Sequence, residues 1–209
     1  MAGAHGGSTG VPARRRDGQL AQGRMLEEAM AAIAENGLAG LTMSGLAERL
    51  GTSGGHILYY FGSKDQLLLA ALRWSEDRLT EERRALLARR VRPPRKLDLF
   101  LALYLPKETR DPRWMLWVEL WARTAANAEL RSAQEDLDRG WQDDLAALLA
   151  DCGLPGGEAE TRAAADELLA LLDGLSTRVV LGLAGATQMD ALTIARRAAT
   201  RLLPPAPSP

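Results

Sequence analysis

Residues 42–64 hold side chains suited to hydrogen bonding with a nucleic acid: Thr42, Thr52, Ser53, His56, Tyr59, Tyr60 and Lys64, with Gly54 and Gly55 among them. Hydroxyl and ammonium donors reach phosphate oxygens, imidazole and phenol groups reach base edges, and glycines let a backbone come close. If this stretch meets DNA, Thr42, Thr52, Tyr60 and Lys64 would position it on phosphates, and Ser53, Gly54, Gly55, His56 and Tyr59 would approach bases. A second chemistry lies further on. Trp114, Trp117 and Trp121 are spaced i, i+3, i+7, so they share a helix face, and Trp141 follows on the next helix. Such residues fill cores or wall a pocket, and with an acid nearby they bind organic cations. Glu119 and Asp173 are the acids to watch for that role. The spacing favours core packing with partial lining of a pocket over a dedicated aromatic cage.

Catalysis is poorly provided for. The single cysteine, Cys152, ends an apolar helical stripe, and the histidines are His5 and His56 alone. No Ser-His-acid set can be assembled, no metal-ligand spacing occurs, and no cofactor is called for.

These residues need helices to position them. In residues 42–64, Leu46, Ala47 and Leu50 fall on one face of a short helix capped by Thr42, and Gly51-Thr52-Ser53 turns the chain. A second helix then points Ile57, Leu58 and Phe61 inward. That is a helix-turn-helix, with an ordinary helical hairpin as the competing reading. Before it, a helix over about 18–35 is capped by Asp17 and stopped at Asn36-Gly37. After it, Ser63 and Gln66 form a capping box for a long helix over about 64–90. Pro93-Pro94 breaks the chain, and apolar periodicity then predicts helices over about 97–105, 113–121, 129–150, 158–181 and 189–203. The expected fold is all-α, with about nine helices. Residues 1–16 read as a disordered tail ending in Arg14, Arg15 and Arg16. Residues 17–72 read as a helix-turn-helix domain, 73–203 as a larger ligand-binding and dimerisation domain, and 204–209 as a Pro-rich tail.

The chain has 209 residues, 46% hydrophobic and 25% charged, with net charge −1. This composition suits a helical globular protein and lacks the basic excess of a bulk nucleic-acid binder. No apolar run is long enough to span a bilayer, the N-terminus lacks a signal-peptide core, and the lone cysteine fits a reducing cytoplasm.

A stretch of about fifty residues, from the helix starting near Asp17 to about Leu72, resembles the DNA-binding domain of TetR-family transcriptional regulators. The matching positions are Thr42, Ala47-Glu48-Arg49, Gly51, Ser53, Gly55, Tyr59, Phe61, Gly62-Ser63-Lys64-Asp65 and Leu67. Leu58 stands where the family usually has Tyr, and Tyr60 where it has His. Trp117, Trp121-Ala122, Asn127-Ala128-Glu129-Leu130, Asp138, Trp141, Leu145 and Asp173-Gly174-Leu175 are similar to the choline-responsive, BetI-like branch. The resemblance implies a homodimeric repressor on a palindromic operator, released by a small-molecule effector. It also implies that the last two long helices pair across a twofold axis through Leu168, Leu172, Leu175 and Val179 on one and Ala195, Ala198 and Leu202 on the other. The alternatives are a helical interaction protein or a small helical enzyme without DNA binding.

Overall fold

The structure is a computed structural model that describes residues 10–204 in backbone and 21–204 in side chains. Helix α1 spans Gly10–Gly40 and is broken at Gly37, whose φ is 69° and ψ 166°. It starts earlier than the sequence suggests, so Asp17 lies inside it and does not cap it. Arg14, Arg15 and Arg16 are likewise helical, not part of a disordered arm. Ala and Arg are strong helix formers, and Pro12 falls in the first turn, where its missing N–H costs nothing. Residues 1–9 of the expected tail, and 205–209 at the other end, lie outside the described residues.

Local side-chain chemistry sets the next boundaries. Helix α2 (Met43–Leu50) is capped by Thr42, whose Oγ1 accepts the Gly45 N–H at 3.0 Å. It closes with Gly51 in the left-handed conformation, where the Gly51 and Thr52 N–H groups satisfy the Glu48 and Ala47 carbonyls. Helix α3 (Gly54–Phe61) is capped by Ser53, whose Oγ accepts the His56 N–H at 3.2 Å. Helix α4 (Lys64–Leu87) begins at Ser63, which accepts the Gln66 N–H at 3.1 Å. Only half of the expected capping box forms, because the Gln66 amide donates to Glu129 at 2.8 Å.

Helix α5 (Pro93–Tyr104) has both prolines in its first turn, so they open a helix as well as ending the previous segment. Then come α6 (Pro112–Thr124), α7 (Ala128–Asp151), α8 (Glu158–Val180), a 3-10 turn at Leu183–Gly185, and α9 (Gln188–Leu202). Among the described residues there are nine α-helices and no strand.

Two apolar cores hold the helices. One joins Ile33, Leu46, Ile57 and Leu68 to Trp117 and Leu120 of α6. The boundary expected at residue 72 therefore falls inside α4, and this core runs past it. The other core packs Phe100, Trp141 and Leu145 against α8 and α9. Leu168, Leu172, Leu175, Val179 and Ala195 are all buried in it, so the stripe expected to meet a partner subunit is used within the chain. Ala198 and Leu202 are half-buried beside it. The physical reason is that α8 must also cover α7 and α9, which takes its strongest apolar face.

Helix α6 ties the two halves together. The Leu38 N–H, freed by the break at Gly37, donates to Glu119 Oε1 at 2.9 Å. Glu119 also pairs with Arg123 at 2.6 Å. It is thus a remote cap for α1 and stands away from the tryptophan cavity, contrary to the role expected of it. A Cβ on Gly37 would meet that carboxylate oxygen at 3.0 Å. Arg110, held at φ 60°, donates its guanidinium to the Ala34 and Glu35 carbonyls and so satisfies the last turn of α1 before the break. From within the helix-turn-helix, Arg49 bonds Glu28 and Glu35 and bolts α2 to α1.

Candidate functional site

Helix α3 presents an outer surface that the other described residues leave uncovered. Tyr59 is 86% exposed, and Leu58 and Tyr60 are about half exposed. His56 and Tyr60 meet edge-on at 5.0 Å between ring centroids. Burial of Ile57 and Phe61, one helical turn apart, fixes this orientation and turns Leu58 outward, where an inward Leu58 was expected. Gly55 is open to solvent, whereas a Cβ on Gly54 would sit 3.6 Å from Ser44 of α2. Gly54 therefore serves the packing of α3 on α2 more than an outer surface. Ser53 and Thr42 are engaged as caps, and the Thr52 N–H closes α2. Lys64 Nζ donates to the Leu38 and Ala39 carbonyls, at 3.3 Å each, and keeps one further proton for another acceptor.

The second site is a cavity walled by Trp114, Trp117 and Trp121 of α6, Trp141 of α7 and Tyr104 of α5, with a volume of about 10 Å³. That is room for about one water molecule. Tyr104 and Trp141 meet at 4.8 Å and 82°, Tyr104 and Trp114 at 5.5 Å and 64°, and Trp114 and Trp121 at 6.0 Å and 63°. These edge-to-face contacts knit the aromatic wall together, and Arg113 and Arg83 stack on the Trp114 and Trp141 rings.

Three carboxylates complete the cavity: Glu76, Asp138 and Asp173. Glu76, on α4, is buried and accepts the Trp117 Nε1–H at 3.0 Å on one oxygen and the Trp141 Nε1–H at 2.9 Å on the other. Tyr104 donates its hydroxyl to Asp173 at 2.6 Å. Burial raises the Asp173 pKa, with the Tyr104 hydrogen bond opposing. Desolvation of its carboxyl on the cavity side, beside Asp173 and Glu76, raises that of Asp138 to about 6 although the residue as a whole is exposed, with the Gln134 hydrogen bond pulling the other way. Burial, and then the negative charge of Asp173, pushes the Tyr104 hydroxyl well above its usual value. Arg113 donates to the Leu103, Tyr104 and Leu105 carbonyls and locks the end of α5 against α6.

The structure brings together Trp114, Trp117, Trp121, Trp141 and Asp173, all expected from the sequence, and leaves Glu119 outside. Sequence reasoning missed Glu76, Tyr104, Arg113 and Asp138 as cavity residues. For Glu76 a signal exists: Leu72, Glu76, Leu79 and Arg83 share one inward stripe of α4, and both polar members are buried. An acid within an apolar stripe points to a buried partner.

Comparison with known proteins places the chain in a family. A family model described as bacterial regulatory proteins, tetR family, matches residues 25–71. A second, described as BetI-type transcriptional repressor, C-terminal, matches residues 93–204. The chain belongs to the TetR family. It is 32% identical over 170 residues to the HTH-type transcriptional regulator BetI of Paraburkholderia xenovorans, covering 78% of this chain and 83% of that one.

Its fold matches that of a Saccharomonospora viridis protein described as a transcriptional regulator and solved in complex with choline. That match has a TM-score of 0.80 and 25% identity over 88% of this chain and 98% of the other. A TetR-family structure from Rhodococcus sp. matches with a TM-score of 0.71 and 23% identity, covering 88% and 98% of the two chains. For this TetR-family regulator, α2 and α3 form the helix-turn-helix, and the cavity's lining lies in the BetI-type region apart from Glu76. Among the described residues no group of His, Cys, Asp and Glu is arranged to hold a metal, and no helix is long and apolar enough to cross a membrane.

Proposed function

We propose that this regulator is a homodimeric repressor released from a palindromic operator by a quaternary ammonium cation of the choline type. One observation carries the effector class. Five aromatic rings surround a cavity whose three carboxylates have no basic partner in any ion pair among the described residues. The one guanidinium in the lining, Arg113, donates to the Leu103, Tyr104 and Leu105 carbonyls, so three acids face a single cation, and an alkylated ammonium head beside the aromatic rings would offset the remaining negative charge. The choline held by the Saccharomonospora viridis protein supports the same class.

In this reading α3 enters the major groove, with Gly55, His56 and Tyr59 toward bases and Thr42, Thr52, Tyr60 and Lys64 toward phosphates. Ser53 and Gly54 act through the local fold. The partner subunit meets the outward side of α8 and α9, around the open Gly174 and the exposed Leu181 and Ile194. A cavity of about 10 Å³ has no room for such a head, so the effector binds only where α4, α6 and α7 move apart. It therefore favours one state over the other, as release requires. Helix α4 joins Glu76 to Lys64, and α6 joins the tryptophans to Glu119, so this opening reaches the reading head.

Operator binding tests the reading. Fluorescence anisotropy on the chain's own upstream intergenic DNA should show affinity roughly a thousandfold above an unrelated duplex, falling with salt. Millimolar choline should abolish the difference. Equal binding to both duplexes, or no response to choline or tetramethylammonium, overturns it.

Choline binding should also depend on pH. A cation beside Asp138 lowers a carboxyl pKa that stands at about 6 in the free protein, so proton and cation compete there. Affinity is full above pH 7 and is lost as pH falls through 6, with calorimetry at pH 5.5 giving binding about three- to fivefold weaker. The free protein's stability runs the other way for this group. Its folded carboxyl keeps its proton to higher pH than the unfolded one, so its contribution grows as pH falls from 6 towards 4. Asp138→Asn should flatten the affinity profile, and a flat profile in the unsubstituted protein places the cation elsewhere.

A further inference from the structure

A larger cleft of about 370 Å³ opens between α7 and α8 and shares Tyr104, Asp138, Trp141 and Asp173 with the tryptophan cavity. These residues form one wall seen from two sides, so the cleft is the way in and the place for whatever trails behind a bound head group. We propose that the cleft selects effectors by the charge of their tail, taking a second positive charge best, then a neutral hydroxyl, and rejecting zwitterions and anions with the same ammonium head. The inference rests on the reading of the cavity as a cation site.

The charges in the cleft carry it. Glu135, Asp138, Asp166 and Asp173 line it, against one guanidinium, Arg139. Arg139 pairs with Asp136, which is not in the lining. None of the four lining acids takes part in an ion pair among the described residues. The hydrogen bonds they accept come from neutral groups: Gln134 to Asp138, Gln142 to Asp166 and Tyr104 to Asp173. A carboxylate or phosphate on a tail here would face this excess of negative charge at short range, screened in part by water because Glu135, Asp138 and Asp166 are exposed. An ammonium there would relieve it.

The test is calorimetry on the full chain with four trimethylammonium compounds and tetramethylammonium as the head alone. The four carry tails of decreasing charge: (2-aminoethyl)trimethylammonium, choline, glycine betaine and phosphocholine. Affinity should fall in that order by about tenfold per unit of tail charge at low salt, and the spread should narrow as salt rises. The double variant Glu135→Gln, Asp166→Asn alters residues that line the cleft and not the cavity. It should weaken tetramethylammonium by no more than about threefold, through the lost field at Asp138, and bring choline and glycine betaine to within about threefold of each other. Glycine betaine binding as tightly as choline overturns the proposal while leaving the cation cavity standing. Failure of tetramethylammonium and choline alike removes the cavity reading and this inference with it. A double variant that keeps the full spread assigns selection to other residues and also overturns it.

Discussion

Glu76→Gln should leave operator binding intact and make the repressor deaf to choline. Glu76 is the only carboxylate of the cavity that is buried and bonded to two of its walls, one on α6 and one on α7. Glutamine keeps the shape but offers one acceptor oxygen where the indoles present two donors. Its NH₂ then faces an N–H group, so one of the two walls loses its anchor. The charge that would face an ammonium head disappears as well. Losing a charged partner and a buried hydrogen bond together should weaken choline by about thirty- to a hundredfold.

The readouts are calorimetry for choline and anisotropy for the operator, with the circular dichroism melt as a check on folding. Trp141→Ala would be harder to read. Its ring fills the second core, stacks beneath Arg83 at 4.2 Å and meets Phe100, so truncation costs about 3–5 kcal/mol of stability. Release of Glu76→Gln from DNA at the same choline concentration as the unsubstituted protein would show that Glu76 does not face the effector.

The residues of this cavity differ in how far the sequence announces them. The tryptophans of α6 are legible because i, i+3, i+7 spacing places them on one face wherever the helix goes. The caps at Thr42, Ser53 and Ser63 are legible because each bonds an N–H three residues away. Glu119 is not. Its partner at Leu38 exists only because Gly37 breaks α1 and α6 crosses that break, and no local spacing encodes such a meeting. Arg110 reaching Ala34 and Glu35 is the same kind of contact. The face of Leu58 is not legible either, for a different reason. An eight-residue helix with Ile57, Leu58 and Phe61 leaves two inward settings, and packing under α2 and α4 chooses between them. The buried stripe of α8 shows the same limit, since periodicity finds an apolar face but not whether it meets this chain or a second copy.

That corrected orientation of α3 makes a second large effect specific. His56 projects from its exposed side, beside Tyr60, and its side chain makes no hydrogen bond among the described residues. His56→Ala should therefore leave the melting temperature within a degree or two, because surface changes rarely exceed 0.5 kcal/mol. It should cost about 1–3 kcal/mol on the operator and little on an unrelated duplex, the mark of a lost base contact.

Lys64→Ala should behave in the opposite way. It should weaken both duplexes alike and reduce the salt slope by about one, as loss of a phosphate contact does. Because Lys64 also holds the Leu38 and Ala39 carbonyls, it should lower the melt where His56→Ala does not. The pair separates reading from docking in one experiment. If His56→Ala weakens both duplexes equally, base recognition moves to Tyr59 and the backbone around Gly55. If Lys64→Ala lowers the melt without changing the salt slope, its role is to pin α1 to α4, and the phosphate is held by other groups at the start of these helices.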